Sequence, residues 1–181
     1  LFAMLFMVYG LIAIPLRSYL QPFIIMSVIP FGAIGAVVGH VLLGHAISMF
    51  SLFGLIALAG VVVNDSLILV DFINKACLAG RSIRDAVIES GVARFRAIVL
   101  TSFTTAAGLA PIIIENDPQS QAIIPTAISI GFGIVFATVI TLFLIPSLYM
   151  LQDDGFVAAR RFKVWLFDET ESVQASDSRN P

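Results

Sequence analysis

Apolar residues occupy five long blocks, at about 1–16, 22–44, 50–74, 96–114 and 122–151, and polar and charged residues gather between them. Each block approaches the roughly 20 residues that a helix needs to cross a hydrocarbon core about 30 Å thick. The pattern predicts an all-α fold, a polytopic transmembrane helix bundle of about five spans, over residues 1–151. The chain opens at Leu1 inside an apolar block, with no initiator Met, basic leader or small-residue cleavage site, so the first span reads as truncated.

Between the third and fourth blocks, Gly80 can end a helix, and Ser82-Ile83-Arg84-Asp85 has the spacing of a capping box. Ile83, Val87 and Ser90 then share a stripe that avoids Arg84 and Glu89, which predicts a short cytoplasmic amphipathic helix lying on the membrane face. In the tail, 152–181, Phe156, Phe162, Trp165 and Phe167 interleave with Arg160, Arg161 and Lys163. That mixture predicts an interfacial anchor, followed by disorder from Asp168 to Pro181.

Charge adds orientation. Basic residues occur only in alternate connections: Arg17 in the first, Lys75, Arg81, Arg84, Arg94 and Arg96 in the third, and Arg160, Arg161, Lys163 and Arg179 in the tail. By the positive-inside rule, these three regions, including the C-terminus, are cytoplasmic. Composition agrees with a membrane class: of 181 residues 59% are hydrophobic and 12% charged, with mean hydropathy +1.00, against about 45–50% apolar in soluble domains. A net charge of −2 suggests no nucleic-acid partner, and no Cys/His spacing suggests a metal site. The single Cys77 reads as a small filler. No nucleophile–base pair or phosphate-cradling glycine loop stands out, so the chain does not read as an enzyme.

The third block contains Asn64, Asp65 and Asp71. Asp65 falls roughly 20 Å below the outer end of its helix, where an acidic residue costs about 2.5–3.5 kcal/mol on insertion scales. It must face protein or water, or be protonated, which makes it a candidate proton carrier. A structural hydrogen bond between helices is the plainer alternative. For Asp71, close to the inner interface, the plainer reading is a solvated or Lys75-paired carboxylate. Thr101, Ser102, Thr104 and Thr105 supply hydroxyls to the fourth span, and most such hydroxyls bond their own backbone. His40 and His45 read as polar anchors at the external interface. Gly32, Gly35 and Gly39 allow a close helix approach in the second span.

Taken in order, Pro15-Leu16-Arg17-Ser18-Tyr19, Gln21-Pro22, Val28-Ile29-Pro30-Phe31-Gly32, the run from Gly54 to Asp65, Leu100-Thr101-Ser102 and Ile145-Pro146-Ser147-Leu148-Tyr149 resemble spans eight to twelve of resistance-nodulation-division (RND) efflux permeases of the acriflavine-resistance, multidrug type. The resemblance covers about residues 1–151. It implies a multi-pass permease of the bacterial inner membrane that works as a homotrimer and uses the proton-motive force, with no bound cofactor, to export drugs or other amphiphiles by proton antiport. It also implies a periplasmic membrane-fusion adaptor, an outer-membrane channel and surrounding membrane lipids as partners. The family's proton relay couples two aspartates on the fourth span, absent here, to a lysine and an asparagine on the tenth and a threonine on the eleventh. Thr101 matches that threonine. In an ungapped reading Asn64 stands at the lysine position and Asp65 at the asparagine position, so the balancing cation is missing. Asn64, Asp65 and Thr101 are therefore the relay candidates, with Asp71 and Ser102 behind them. The alternatives are a related RND-superfamily lipid exporter or protein-export accessory subunit, and a non-transporting membrane sensor or scaffold.

Overall fold

The computed structural model describes residues 2–16, 18–115, 117 and 120–177, and the side chains of Phe2, Met4 and residues from 153 onward lie outside that description. Among the described residues six α-helices follow one another: α1 (Phe2–Leu16), α2 (Gln21–Met26), α3 (Ile29–Leu43), α4 (Met49–Leu78), α5 (Ile83–Ile114) and α6 (Ile124–Asp177), with a 3-10 turn at Ser120–Ala122. There is no strand among the described residues. Four stretches are long and apolar enough to cross a membrane, Gln21–Leu43, Met49–Leu78, Ile83–Ile114 and Ile124–Gln152, and α1 supplies a shorter apolar helix, Leu5–Leu16. The all-α transmembrane bundle is thus the observed architecture.

The second span is not one helix. Pro30 has no N–H to give the Met26 carbonyl, and the chain turns at Ser27–Val28, where the Ser27 hydroxyl donates to the Ile24 carbonyl at 2.6 Å. At its far end α3 closes on Gly44, whose φ of 69° only glycine adopts freely. The Gly80 stop also has positive φ, 88°, and the Asp85 N–H donates to Ser82 Oγ at 3.2 Å, capping α5. The amphipathic segment expected in the inner loop is not a separate helix. It forms the first turns of α5, because no proline interrupts residues 83–110, and Ala86, Val87 and Ser90 are buried in the bundle and not laid on a membrane face. The backbone of α6 is likewise helical to Asp177, where the sequence suggested disorder from Asp168; no glycine or proline occurs from Phe156 to Asn180 to stop it. The expected aromatic–basic anchor falls on side chains outside the described residues.

At the centre stands α6, packed against α3, α4 and α5. Leu58, Leu69, Val70 and Ile73 of α4 and Ile128, Ile134, Ala137 and Ile145 of α6 are almost fully buried. Outward, side chains such as Phe6, Leu11, Val41, Phe53, Phe103 and Phe143 are exposed, an apolar exterior suited to lipid and not to water. Gly35 and Gly39 let α3 approach α6: a Cβ on Gly39 would lie 2.5 Å from Phe132 Cγ, and one on Gly35 would lie 3.0 Å from the Phe132 carbonyl. Gly32 meets Leu58 of α4 in the same way, at 3.1 Å.

Each end of the bundle is tied by polar contacts. At the end carrying the basic connections, the side-chain amides of Gln21 and Asn74 exchange two hydrogen bonds of 3.1 and 3.0 Å, and the Tyr149 hydroxyl donates to Asn74 Oδ1 at 2.9 Å, joining α2, α4 and α6. The Arg94 guanidinium lies over the Phe72 ring at 5.1 Å. At the opposite end His40 is 3% exposed, so it is a buried clip and not the interfacial anchor its position suggested. Its Nδ1 sits 2.9 Å from the Ala36 carbonyl, which can only accept, so Nε2 accepts from Ser51 Oγ at 2.8 Å in the neutral ring. Ser51 Oγ in turn accepts the Ser48 N–H at 3.1 Å.

Candidate functional site

The site is best built from the register of its helices. Three contacts, Gly54 with Ser129, Leu58 with Gly133 and Asn74 with Tyr149, each pair a residue of α4 with the residue of α6 that is 75 positions later. The two helices therefore run parallel and level. On the other side of α6, α5 runs antiparallel, and its level is fixed by Ser102 against Thr138 and Leu109 against Gly131. This register puts Asn64, Asp65 and Ser66 of α4, Thr101 and Ser102 of α5, and Thr138 and Thr141 of α6 within about one helical turn of each other in height. Apart from this layer, the middle of the bundle is almost entirely apolar.

Within the layer the residues divide by exposure. Asp65 is 8% exposed, and Ser66, Ser102, Thr138 and Thr141 are buried, whereas Asn64 and Thr101 are exposed. The roughly 100° between consecutive helical residues produces the split: turning Asp65 and Ser102 inward turns Asn64 and Thr101 out. Ser102 Oγ and Thr138 Oγ1 share a hydrogen bond of 2.5 Å that pins α5 to α6. Thr141 donates to the Ala137 carbonyl of its own helix at 2.8 Å. Ser66 Oγ is fully buried with no hydrogen-bond partner among the described residues, and none of those residues bonds the Asp65 carboxyl. A carboxylate in such surroundings lacks the compensation that an ionised group requires. Protonation, water or a group from elsewhere must supply it.

The remaining candidates behave locally. Thr101 Oγ1 donates to the Ala97 carbonyl at 2.9 Å, and Thr104 and Thr105 also bond carbonyls of their own helix. Asp71 pairs with Lys75 at 2.6 Å, both half or more exposed, far down the helix from Asp65. The structure thus brings Asn64, Asp65, Thr101 and Ser102 to one level and leaves Asp71 outside it. Sequence reasoning missed Thr138 and Thr141. Two hydroxyls three residues apart in an apolar span were the available signal, but nothing in the sequence says which neighbour they meet. Among the described residues no cluster of His, Cys, Asp and Glu is arranged to hold a metal.

Known proteins resemble this chain in sequence and in fold. The chain is similar to the swarming motility protein SwrC of Bacillus subtilis, 32% identical over 143 residues, which cover 78% of this chain and 14% of SwrC. It is similar to the multidrug resistance protein MdtC of Erwinia tasmaniensis, 30% identical over 166 residues, or 91% of this chain and 16% of MdtC. Among solved structures, a heavy metal efflux pump superposes with a TM-score of 0.75 at 29% identity, over 83% of this chain and 15% of the pump. The chain spans about a seventh of the length of these relatives. Residues 1–153 match the model of one family of RND permeases, and the chain belongs to it: the AcrB/AcrD/AcrF family.

Proposed function

We propose that this chain is the C-terminal membrane portion of an RND permease that exports amphiphilic compounds in exchange for protons, and that Asp65 carries a proton in that exchange. The carrying observation is a buried carboxyl with no hydrogen-bond donor among the described residues, set in the polar layer at the middle of an apolar bundle. A carboxyl so placed changes its interactions greatly when it gains or loses a proton, and that change can bias a bundle between two packings. Asn64 stands where a relay cation is expected and is itself neutral, so Asp65 takes over proton binding. The exposed Asn64 and Thr101 then face groups supplied by the rest of the permease. On this reading the basic end faces the cytoplasm of a bacterial inner membrane, and the complete protein acts as a trimer with an adaptor and an outer-membrane channel. The likeness to a multidrug resistance protein and to a heavy metal efflux pump supports an exporter.

The test is Asp65→Asn in the full-length protein, reconstituted in vesicles with an imposed pH gradient. Substrate-dependent proton flux and efflux should fall to background while oligomeric assembly is retained. Flux equal to the parent would remove Asp65 from the mechanism.

A further inference from the structure

The end of α4 remote from the basic connections is held by two ties of different chemistry. Thr126 Oγ1 of α6 donates to the Phe50 carbonyl at 2.8 Å, a bond between groups that do not titrate. The other tie is the His40 ring of α3, 3% exposed, which reaches from the Ala36 carbonyl to Ser51 Oγ in the first turn of α4. Ser51 is itself 1% exposed and receives the Ser48 N–H. The backbone of the same histidine holds the connection 44–48, because the His45 N–H donates to the His40 carbonyl at 3.1 Å. One residue thus links α3, the connection and the start of α4.

This clip suits only a neutral ring. With the Nδ1 hydrogen given to Ala36, Nε2 must accept, and the Ser51 hydroxyl supplies the hydrogen. A proton added at Nε2 points at that hydroxyl hydrogen, and Ser51 would have to turn it away while still holding the Ser48 N–H. The added charge also finds no counter-ion on the packed helices. Besides His40, α3, residues 49–64 of α4, 97–114 of α5 and 124–148 of α6 carry no ionisable side chain. The titratable groups at this end are the exposed His45 in the connection, and Glu115 and Asp117 beyond α5. A buried, unpaired charge is costly.

We propose that protonation of His40 opens this clip and frees the α3–α4 connection, while Thr126 keeps the start of α4 on α6. Imidazoles change charge between about pH 5 and 8. The sign follows from the hydrogen bonds: the ring is neutral and the clip closed at the upper end of that range, and the ring is charged and the clip open at the lower end. Its use rests on the proposed exporter, in which this end faces outward, where protons enter. The switch itself does not depend on Asp65, so loss of proton flux in Asp65→Asn should leave it intact.

The test is deuterium exchange of the purified full-length protein at about pH 8 and about pH 5, with rates corrected for the intrinsic effect of pH. Protection of residues 44–53 should fall severalfold in acid, and protection of 124–130 should hold. His40→Gln, which cannot take up the charge, should lose the pH dependence, and His45→Gln should keep it. The parent supplies an independent readout through solid-state NMR of isotope-labelled histidine. The His40 ring, identified by its absence from the His40→Gln spectrum, should carry hydrogen at Nδ1 alone in the closed state and at both nitrogens in acid. Equal protection of 44–53 at the two pH values would overturn the switch. So would pH dependence that survives in His40→Gln or disappears in His45→Gln, since Glu115, Asp117 or His45 would then be the sensor. Parallel loss of protection at 124–130 would replace a local clip with general acid unfolding, and a ring still neutral when protection has fallen would remove His40 as the cause.

Discussion

Neighbouring helices α4 and α5 have similar length and hydropathy, yet half of the most apolar stretch of α4 is buried and only 11% of that of α5. Both bring a polar residue inward at the same level, Asp65 on one and Ser102 on the other. What separates them is the number of partners. Nearly a full side of α4 is enclosed by α6, α3 and the start of α5, whereas the membrane portion of α5 is held chiefly along one line by α6. Close packing fixes the first helix. The second is held mainly by α6 and leaves its hydroxyl-bearing outer face, with Thr101 and Thr104, exposed.

Small side chains give the sharpest way to break this contrast. A Cβ on Gly54 of α4 would stand 2.7 Å from Ser129 Cβ and 2.8 Å from the Thr126 carbonyl, whereas one on Gly108 of α5 would meet nothing within 4 Å. Gly54→Ala should destabilise by about 1–3 kcal/mol through overpacking, and Gly108→Ala should be neutral or stabilise by up to about 1 kcal/mol. Thermal unfolding of the purified full-length variants checks both, and equal effects would mean that the enclosed α4 seam is not tightly packed. Next in size is the tether of α5. A double-mutant cycle of Ser102→Ala and Thr138→Ala should give a coupling of about 0.6–1.7 kcal/mol, the range for hydrogen bonds between membrane helices. A coupling near zero would show that α5 is placed by other contacts. Thr101→Val should move stability by no more than about 0.5 kcal/mol, because its hydroxyl bonds only the Ala97 carbonyl. A loss of proton-coupled flux at unchanged stability would assign the hydroxyl to transport. At the helix end, Lys75→Ala should cost about 0.5 kcal/mol or less, since the pair with Asp71 is exposed; a larger drop in melting temperature would contradict that assignment.

The sequence by itself determined that the chain is built of apolar segments long enough to span a membrane and where several of them stop, but not that the second breaks before Pro30 or that the inner-loop segment is continuous with α5. Those properties follow from local composition, from the length that crosses a bilayer, and from stops such as Gly80 and the Ser82 cap, each of which acts over a few residues. It also singled out Asp65, because a carboxyl in an apolar run is conspicuous whatever surrounds it. Only the tertiary structure decided that Asp65 shares a level with Ser102, Thr138 and Thr141 and that His40 is a buried clip. Those are properties of register between helices tens of residues apart. Hydrophobicity specifies that such faces be covered, while the choice of which face meets which, and at what height, rests on interlocking side chains such as Gly54 against Ser129 and Leu58 against Gly133.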